Sequence, residues 1–296
     1  MTIAVCYVSP EGVVFGADST STWTPSANHA LHFFNHGQKI FEIGDGSTLA
    51  LVTWGLGGLA TGSHRFEAAL LSDSLVANPP ASVEDVARRF IDQFWPKYQS
   101  CFGALAQRHA DLSTKPPPGD PSPAARSQAE DAELKEILQR ALSLKVGFCV
   151  GGYLLSDRVP TAYEIQFDIL GTKPLPRSLG SHAAMFWGVP NMIHRLTFGI
   201  DTQLFDQIAR SSKWTGTDQD LLDIVRPFRL PTAPLPVRDA VDYVYTCIHS
   251  TIRALKFSTI PQVCGGPVEV AVVTVDRKFR WVKHKPLSSA IHDGDV

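Results

Sequence analysis

Two short apolar, β-branched runs open the chain, Ile3 to Val8 and Val13 to Asp18, split by the turn-forming Ser9-Pro10-Glu11-Gly12. They predict a hairpin whose first strand starts where the sequence starts. A second pair, Lys39 to Ile43 and Thr48 to Thr53, is divided by Gly44-Asp45-Gly46 and predicts another hairpin. The period then changes. Gly55-Leu56-Gly57-Gly58 leads into a helical pattern carrying Leu59, Phe66 and Leu70. Ser82 with Asp85 caps a second helix, in which Val86, Phe90, Ile91 and Phe94 repeat at helical spacing as far as Pro96.

Lys115 to Pro123 is too rich in proline to continue a helix or a ladder and reads as a loop or a mobile segment. Ser127 and Glu130 form the capping box of a polar helix with Leu134, Ile137, Leu138, Ala141 and Leu142 as its stripe. Strand patterns return at Val146 to Val150 and in the alternating Ala162 to Asp168. Asp201 to Pro236 holds two short helical patterns and a proline-rich end, an elaboration on the core. An amphipathic helix follows, with Val241, Val244, Tyr245, Ile248, Ile252 and Leu255 on one face, and the last strands are Val268 to Val275 and Phe279 to Lys283. Strands at both ends with helices grouped between them do not read as alternating βαβ units. They predict an α+β chain: two antiparallel sheets packed together, with helices outside.

Composition narrows the classes. At 296 residues and 44% hydrophobic the chain has ample material for a core, and a net charge of -2 gives no footprint for nucleic acid or for a membrane surface. Five scattered cysteines, Cys6, Cys101, Cys149, Cys247 and Cys264, form no C-x-x-C pair, which argues against a disulfide framework and a zinc knuckle. The ten histidines form no close ligand pattern, so no metal or cofactor is expected, and His64, His182 and His249 read as surface or satisfied interior residues. Met1-Thr2-Ile3-Ala4-Val5 has no basic n-region and no apolar run is long enough to cross a bilayer, so a cytoplasmic protein is expected.

Candidate chemistry starts at Thr2. An alkyl hydroxyl is a poor nucleophile near neutral pH, whereas an α-amine, with a reference pKa of about 7.7–8.0, is partly neutral there. Removal of the preceding methionine would put both groups on one residue. Asp18 closes the partner strand, sixteen residues after Thr2, and Lys39 opens the next one. Paired with Asp18, the lysine would stay cationic and stabilise charge developing on the hydroxyl. Gly55 ends the fourth strand, where a glycine lets a backbone N–H approach an oxyanion.

At these residues the sequence resembles the proteasome β-subunit superfamily of N-terminal-nucleophile hydrolases. The resemblance runs through Thr2, Val13-Val14-Phe15-Gly16-Ala17-Asp18-Ser19, Lys39-Ile40-Phe41-Glu42-Ile43, Trp54-Gly55-Leu56 and Val150-Gly151-Gly152. It continues through Gly180-Ser181 before Phe186-Trp187-Gly188-Val189, the helix from Arg238, and Cys264-Gly265-Gly266 with the strand after it.

It implies a single domain over residues 1–296 with a four-layer αββα fold, with insertions near 105–145 and 198–236. It implies Thr2 as nucleophile, its amine helped by Lys39 as proton acceptor, Asp18 orienting Lys39, the Gly55 N–H holding the oxyanion and Ser181 bonding the terminal amine. Ser21, Thr53 and Gly57 would line the first specificity pocket, and Thr22 with the Gly55 to Gly57 segment would pair substrate as an added strand. The implied function is a threonine endopeptidase acting on peptides or unfolded protein inside a homo-oligomeric ring or stacked rings, with an ATP-dependent unfoldase, unidentified, as a candidate partner. An inactive assembly protein and a small-molecule amidase of the same nucleophile class are the alternatives.

Three positions depart from the family. Pro261 and Cys264 stand where an aspartate and a serine are common, and Trp54 takes a small residue's place. Trp54 either fills the cleft or faces the core; strand alternation favours the core.

Overall fold

The computed structural model describes residues 2–23, 32–230, 234–259 and 263–285. β1 (Ile3–Ser9) and β2 (Gly12–Ala17) form the predicted first hairpin, with Ala4 opposite Ala17 and Ser9 opposite Gly12. β3 (Ser21–Trp23) pairs with β4 (His32–Phe34), two strands the pattern does not predict. The second predicted hairpin is β5 (Ile40–Glu42) with β6 (Leu49–Gly55), and a small one, β7 (Gly58–Leu59) with β8 (Gly62–Ser63), follows it. Three helices come next: α1 (His64–Ala77), α2 (Val83–Ser113) and α3 (Gln128–Leu144). Then come β9 (Val146–Gly152), β10 (Thr161–Phe167), β11 (Arg177–Ser178) and β12 (Ala184–Gly188). The chain continues with α4 (Asn191–Phe198), α5 (Thr202–Ala209), α6 (Asp218–Val225) and α7 (Val237–Lys256), and ends in β13 (Glu269–Thr274) and β14 (Arg277–Lys283).

Two five-stranded antiparallel sheets result, in the orders β12-β1-β2-β13-β14 and β11-β10-β9-β6-β5. Alternation along β1 explains how they meet. Ala4, Cys6 and Val8 join Val13, Phe15 and Ala17 against Ala50, Val52, Cys149 and Ala162 of the other sheet. Ile3, Val5 and Tyr7 turn the other way, onto Ala240, Val244 and Ile248 of α7. The second sheet sends Leu51, Phe148, Val150 and Phe167 outward onto Leu71 of α1 and Phe90, Phe94 and Tyr98 of α2. The central strands are therefore buried on both faces, which is why β1, β2, β9 and β13 read as continuous apolar runs rather than as clean alternation.

Several helical expectations are corrected. Pro96 does not end α2, which runs on to Ser113; the ring sits on the exposed side and costs one i→i−4 bond without a clash against the core. The buried face of α1 is His64, Glu67, Ala68, Leu71 and Leu75, whereas Phe66 is exposed and Leu59 belongs to β7. In α3 the capping box of Ser127 and Glu130 is present, but only Ile137 and Ala141 of the stripe are buried, because the helix packs mainly on α2. Lys115 to Pro123 is loop.

Candidate functional site

The start of β1, the residue before β5 and the end of β6 converge on a cleft of about 80 Å³ lined by Thr2, Thr20, Ser21, Thr22, Gln38, Lys39, Thr53, Trp54, Gly55, Leu56, Gly57 and His64. Eight of the nine candidate residues lie in or under it. Thr2 is buried at the start of β1, its carbonyl accepting the Val189 N–H at 2.9 Å.

Asp18, just past β2, is wholly buried and its carboxylate is held by backbone. Oδ1 accepts the Ile3 N–H at 3.1 Å, and Oδ2 accepts those of Thr20 at 3.2 Å and Gly265 at 2.9 Å. Lys39 Nζ donates to the same Oδ1 at 2.5 Å and to the Thr20 carbonyl at 2.6 Å. The ammonium thus shares an acceptor with the amide that follows Thr2. Burial pulls the Lys39 pKa below the ordinary 10.5, and the Asp18 charge and hydrogen bond only partly oppose that. The lysine is a readier proton donor than the sequence expectation of a fixed cation allows.

Gly55 closes β6 at φ 84°, where a side chain would also drive a Cβ to 2.3 Å from the Lys145 carbonyl. Amide directions alternate along a strand. Thr53 N donates to Lys39 O on the β5 side and Leu56 N to Lys145 O on the β9 side, so the Gly55 N–H points to the β5 side, where the cleft opens. Gly57 has open space where a Cβ would stand. Thr22 sits in β3 opposite Phe33 and Ser21 opposite Phe34, both on the cleft wall.

Ser181 is not brought to the site. β12 runs antiparallel to β1, with Ala184 opposite Tyr7, Gly188 opposite Ile3, and Val8 N donating to Ala183 O. Ser181 is exposed beyond the far end of β1, roughly 20 Å from Thr2 at about 3.3 Å per residue. Gly188 and Val189 take the place beside Thr2 instead. Gly188 has φ 89°, and a Cβ there would lie 1.7 Å from the Thr2 carbonyl oxygen. The strand-to-helix junction Gly188-Val189-Pro190-Asn191 is the sequence signal that marks this place.

Trp54 resolves in both directions at once. Its ring packs on the cluster between the sheets, stacked on Trp187 with centroids 4.2 Å apart and planes 9° apart, and it also lines the cleft. Trp187 Nε1 donates to Glu164 Oε1 at 2.7 Å, which fixes the stack. Cys264 is fully buried, its pKa pushed up to about 12 by burial first and the Asp18 charge second, so it is a neutral thiol and no nucleophile. Pro261 and Met1 lie outside the described residues.

Of the histidines expected at the surface or as satisfied interior residues, His64 is interior but lines the cleft with one ring nitrogen unsatisfied among the described residues. His64, the first residue of α1, is buried against Phe148 and Phe94. Thr53 Oγ1 donates to Gly147 O at 3.1 Å, so at 3.3 Å His64 Nδ1 carries the hydrogen toward Thr53 Oγ1. Nε2 then presents a lone pair with no partner among the described residues. Burial lowers the His64 pKa to about 4, so the ring is neutral near pH 7.

Among the described residues no group of His, Cys, Asp and Glu could hold a metal ion, and no helix is long and apolar enough to cross a membrane. No family model matches the chain, and no curated protein matches it in sequence.

Proposed function

We propose that the chain is an N-terminal-nucleophile threonine peptidase of proteasome type, with the sheet and helix layers forming that family's αββα sandwich. One observation carries the reading: a buried ammonium, Lys39, held at 2.5 Å on a carboxylate whose same oxygen accepts the amide following Thr2. Burying a lysine–aspartate pair is costly and weak as a stabiliser, so its place beneath a threonine at the mouth of a cleft favours a chemical role.

With Met1 removed, Thr2 Oγ1 attacks the substrate carbonyl carbon and its proton passes to the Thr2 α-amine, whose basicity the Lys39 ammonium tunes. The oxyanion takes the Gly55 N–H. The protonated amine then gives its proton to the leaving nitrogen, and the ester on Thr2 is hydrolysed by water entering along the same path. Asp18 acts through Lys39 and is a positioning residue. The substrates proposed are peptides and unfolded protein, and a homo-oligomeric enclosure restricts access to them, with an ATP-dependent unfoldase as a candidate partner.

The test is turnover of unfolded casein or a fluorogenic peptide by protein lacking Met1. Activity is expected to fall to background in Thr2→Ala, and retained turnover in that variant contradicts the assignment. The second reading, an assembly protein of the same fold without turnover, is favoured by the position of Ser181, which the β12 register carries away from Thr2, leaving Val189 beside it.

A further inference from the structure

Behind Asp18 and Lys39 lies a second buried ion pair that the proposed chemistry does not use. Glu269, the first residue of β13, stands opposite Ala17 and is wholly buried. Its Oε1 lies within ion-pair distance of Lys285 Nζ, at 3.2 Å, and of His284 Nδ1, at 2.7 Å, while neither of its oxygens makes a hydrogen bond among the described residues. His284 stacks on Trp281 with centroids 4.1 Å apart.

Lys285, also buried, reaches inward from the end of β14. Its Nζ donates to Gly37 O at 3.0 Å and to Ser19 Oγ at 3.3 Å. The Ser19 hydroxyl spends its own hydrogen on Pro267 O at 2.7 Å, so toward Lys285 it can only accept. Ser19 follows Asp18, and Gly37 lies two residues before Lys39. One ammonium therefore grips both loops that carry the Asp18–Lys39 pair. Gly37 N also donates to Ser19 O at 2.8 Å, which closes the tie.

We propose that Lys285, anchored by Glu269, is a positioning residue that fixes the Asp18 loop against the Lys39 loop and so sets where the Lys39 ammonium stands beneath Thr2. The role in turnover rests on the threonine-peptidase reading; the tie itself does not. A buried lysine contributes little stability even when paired, and its partner left alone is strongly unfavourable, so the pair is better explained by what it orders. The charged and titratable groups around it are Glu269 and His284 on its own sheet and Asp18 and Lys39 across the two loops. Consistent with that, the Lys285 charge is among the causes that lower the Lys39 pKa, after burial.

Three variants of the full chain test this: Lys285→Met, Glu269→Gln, and the pair together, which removes both charges and protects against a folding failure of either single change. In Lys285→Met the Lys39 titration midpoint, followed by NMR with [¹³Cε]lysine, is expected to rise, and amide exchange at Gly37 to quicken about tenfold or more. In Glu269→Gln the midpoint is expected to fall. In the double variant Gly37 exchange quickens in the same way, and kcat falls about tenfold with KM unchanged.

Wild-type exchange at Gly37 in any folded variant lacking Lys285 overturns the tie. Quickened exchange with wild-type kcat overturns its role in positioning. Should Thr2→Ala show the peptidase reading to be wrong, the exchange and titration measurements still decide the tie.

Discussion

An ammonium taken out of water returns to neutrality unless something holds its charge, and at Lys39 burial outweighs what Asp18 restores, so the pKa lies below its ordinary value. Asp18 keeps three backbone N–H donors when the lysine is gone, so Lys39→Met is expected to fold and to lose about 10²–10⁴-fold in kcat/KM, checked on peptide turnover. An unchanged rate would place proton transfer elsewhere. His64 supplies a stability test. Its midpoint of about 4 in the folded chain lies below the ordinary 6.5 of a solvated histidine, so the unfolded chain binds the extra proton first. Stability is full above pH 6.5 and is lost as pH falls from there toward 4, by about 3 kcal/mol for this one group. Denaturant melts near pH 7 and pH 4 should differ by about that much more in wild type than in His64→Gln.

Thr2, Asp18, Lys39 and Gly55 were legible because each sits at a strand end that a local pattern marks. Ser181 and His64 were not. Placing Ser181 needs the register of β12 against a strand some 180 residues earlier, and a lone histidine carries no periodicity that separates a core position from a cleft wall.

At the scale of elements, the junction of β12 with α4 fixes the end of β1. Gly188→Ala should displace the Thr2 carbonyl, lowering stability by about 2 kcal/mol or more and abolishing modification of Thr2; a wild-type melt with intact modification would show that the contact is not limiting. Pro96 gives the opposite sign. It is exposed within a 31-residue helix, and Pro96→Ala restores the donor to the Asp92 carbonyl, which should raise stability by about 1–3 kcal/mol in chemical denaturation. A fall instead would mean that the core of Phe90, Phe94 and Tyr98 depends on a bend at Pro96. The strand hairpins were readable because their turns are short and glycine-marked. The face of α1 was not, because Phe66 looks like core in a helical count while buried Glu67 does not. Glu67 is buried only because Lys97 and Gln93 of α2 bond it, at 2.8–2.9 Å, a pairing no local pattern reveals.

Across the whole molecule, strands from both ends of the sequence close one sheet: β13 and β14 complete the β1–β2 hairpin, and β13 brings Gly265 and Glu269 up against Asp18 and Ala17. The two-sheet arrangement was legible from strands buried on both faces and from helices grouped between them. The loops behind the site were not, since their anchor, Lys285, lies 246 residues from Lys39 in the chain. The central claim is that one residue provides both an attacking oxygen and a proton-accepting amine. An epoxyketone needs both groups to form its ring adduct, so intact mass followed by peptide mapping of folded protein measures it most directly. The account predicts loss of Met1 and a single adduct at Thr2 that disappears in Thr2→Ala and is strongly slowed in Lys39→Met. Retention of Met1 in the mature protein, or a folded chain whose Thr2 stays unmodified, would contradict it.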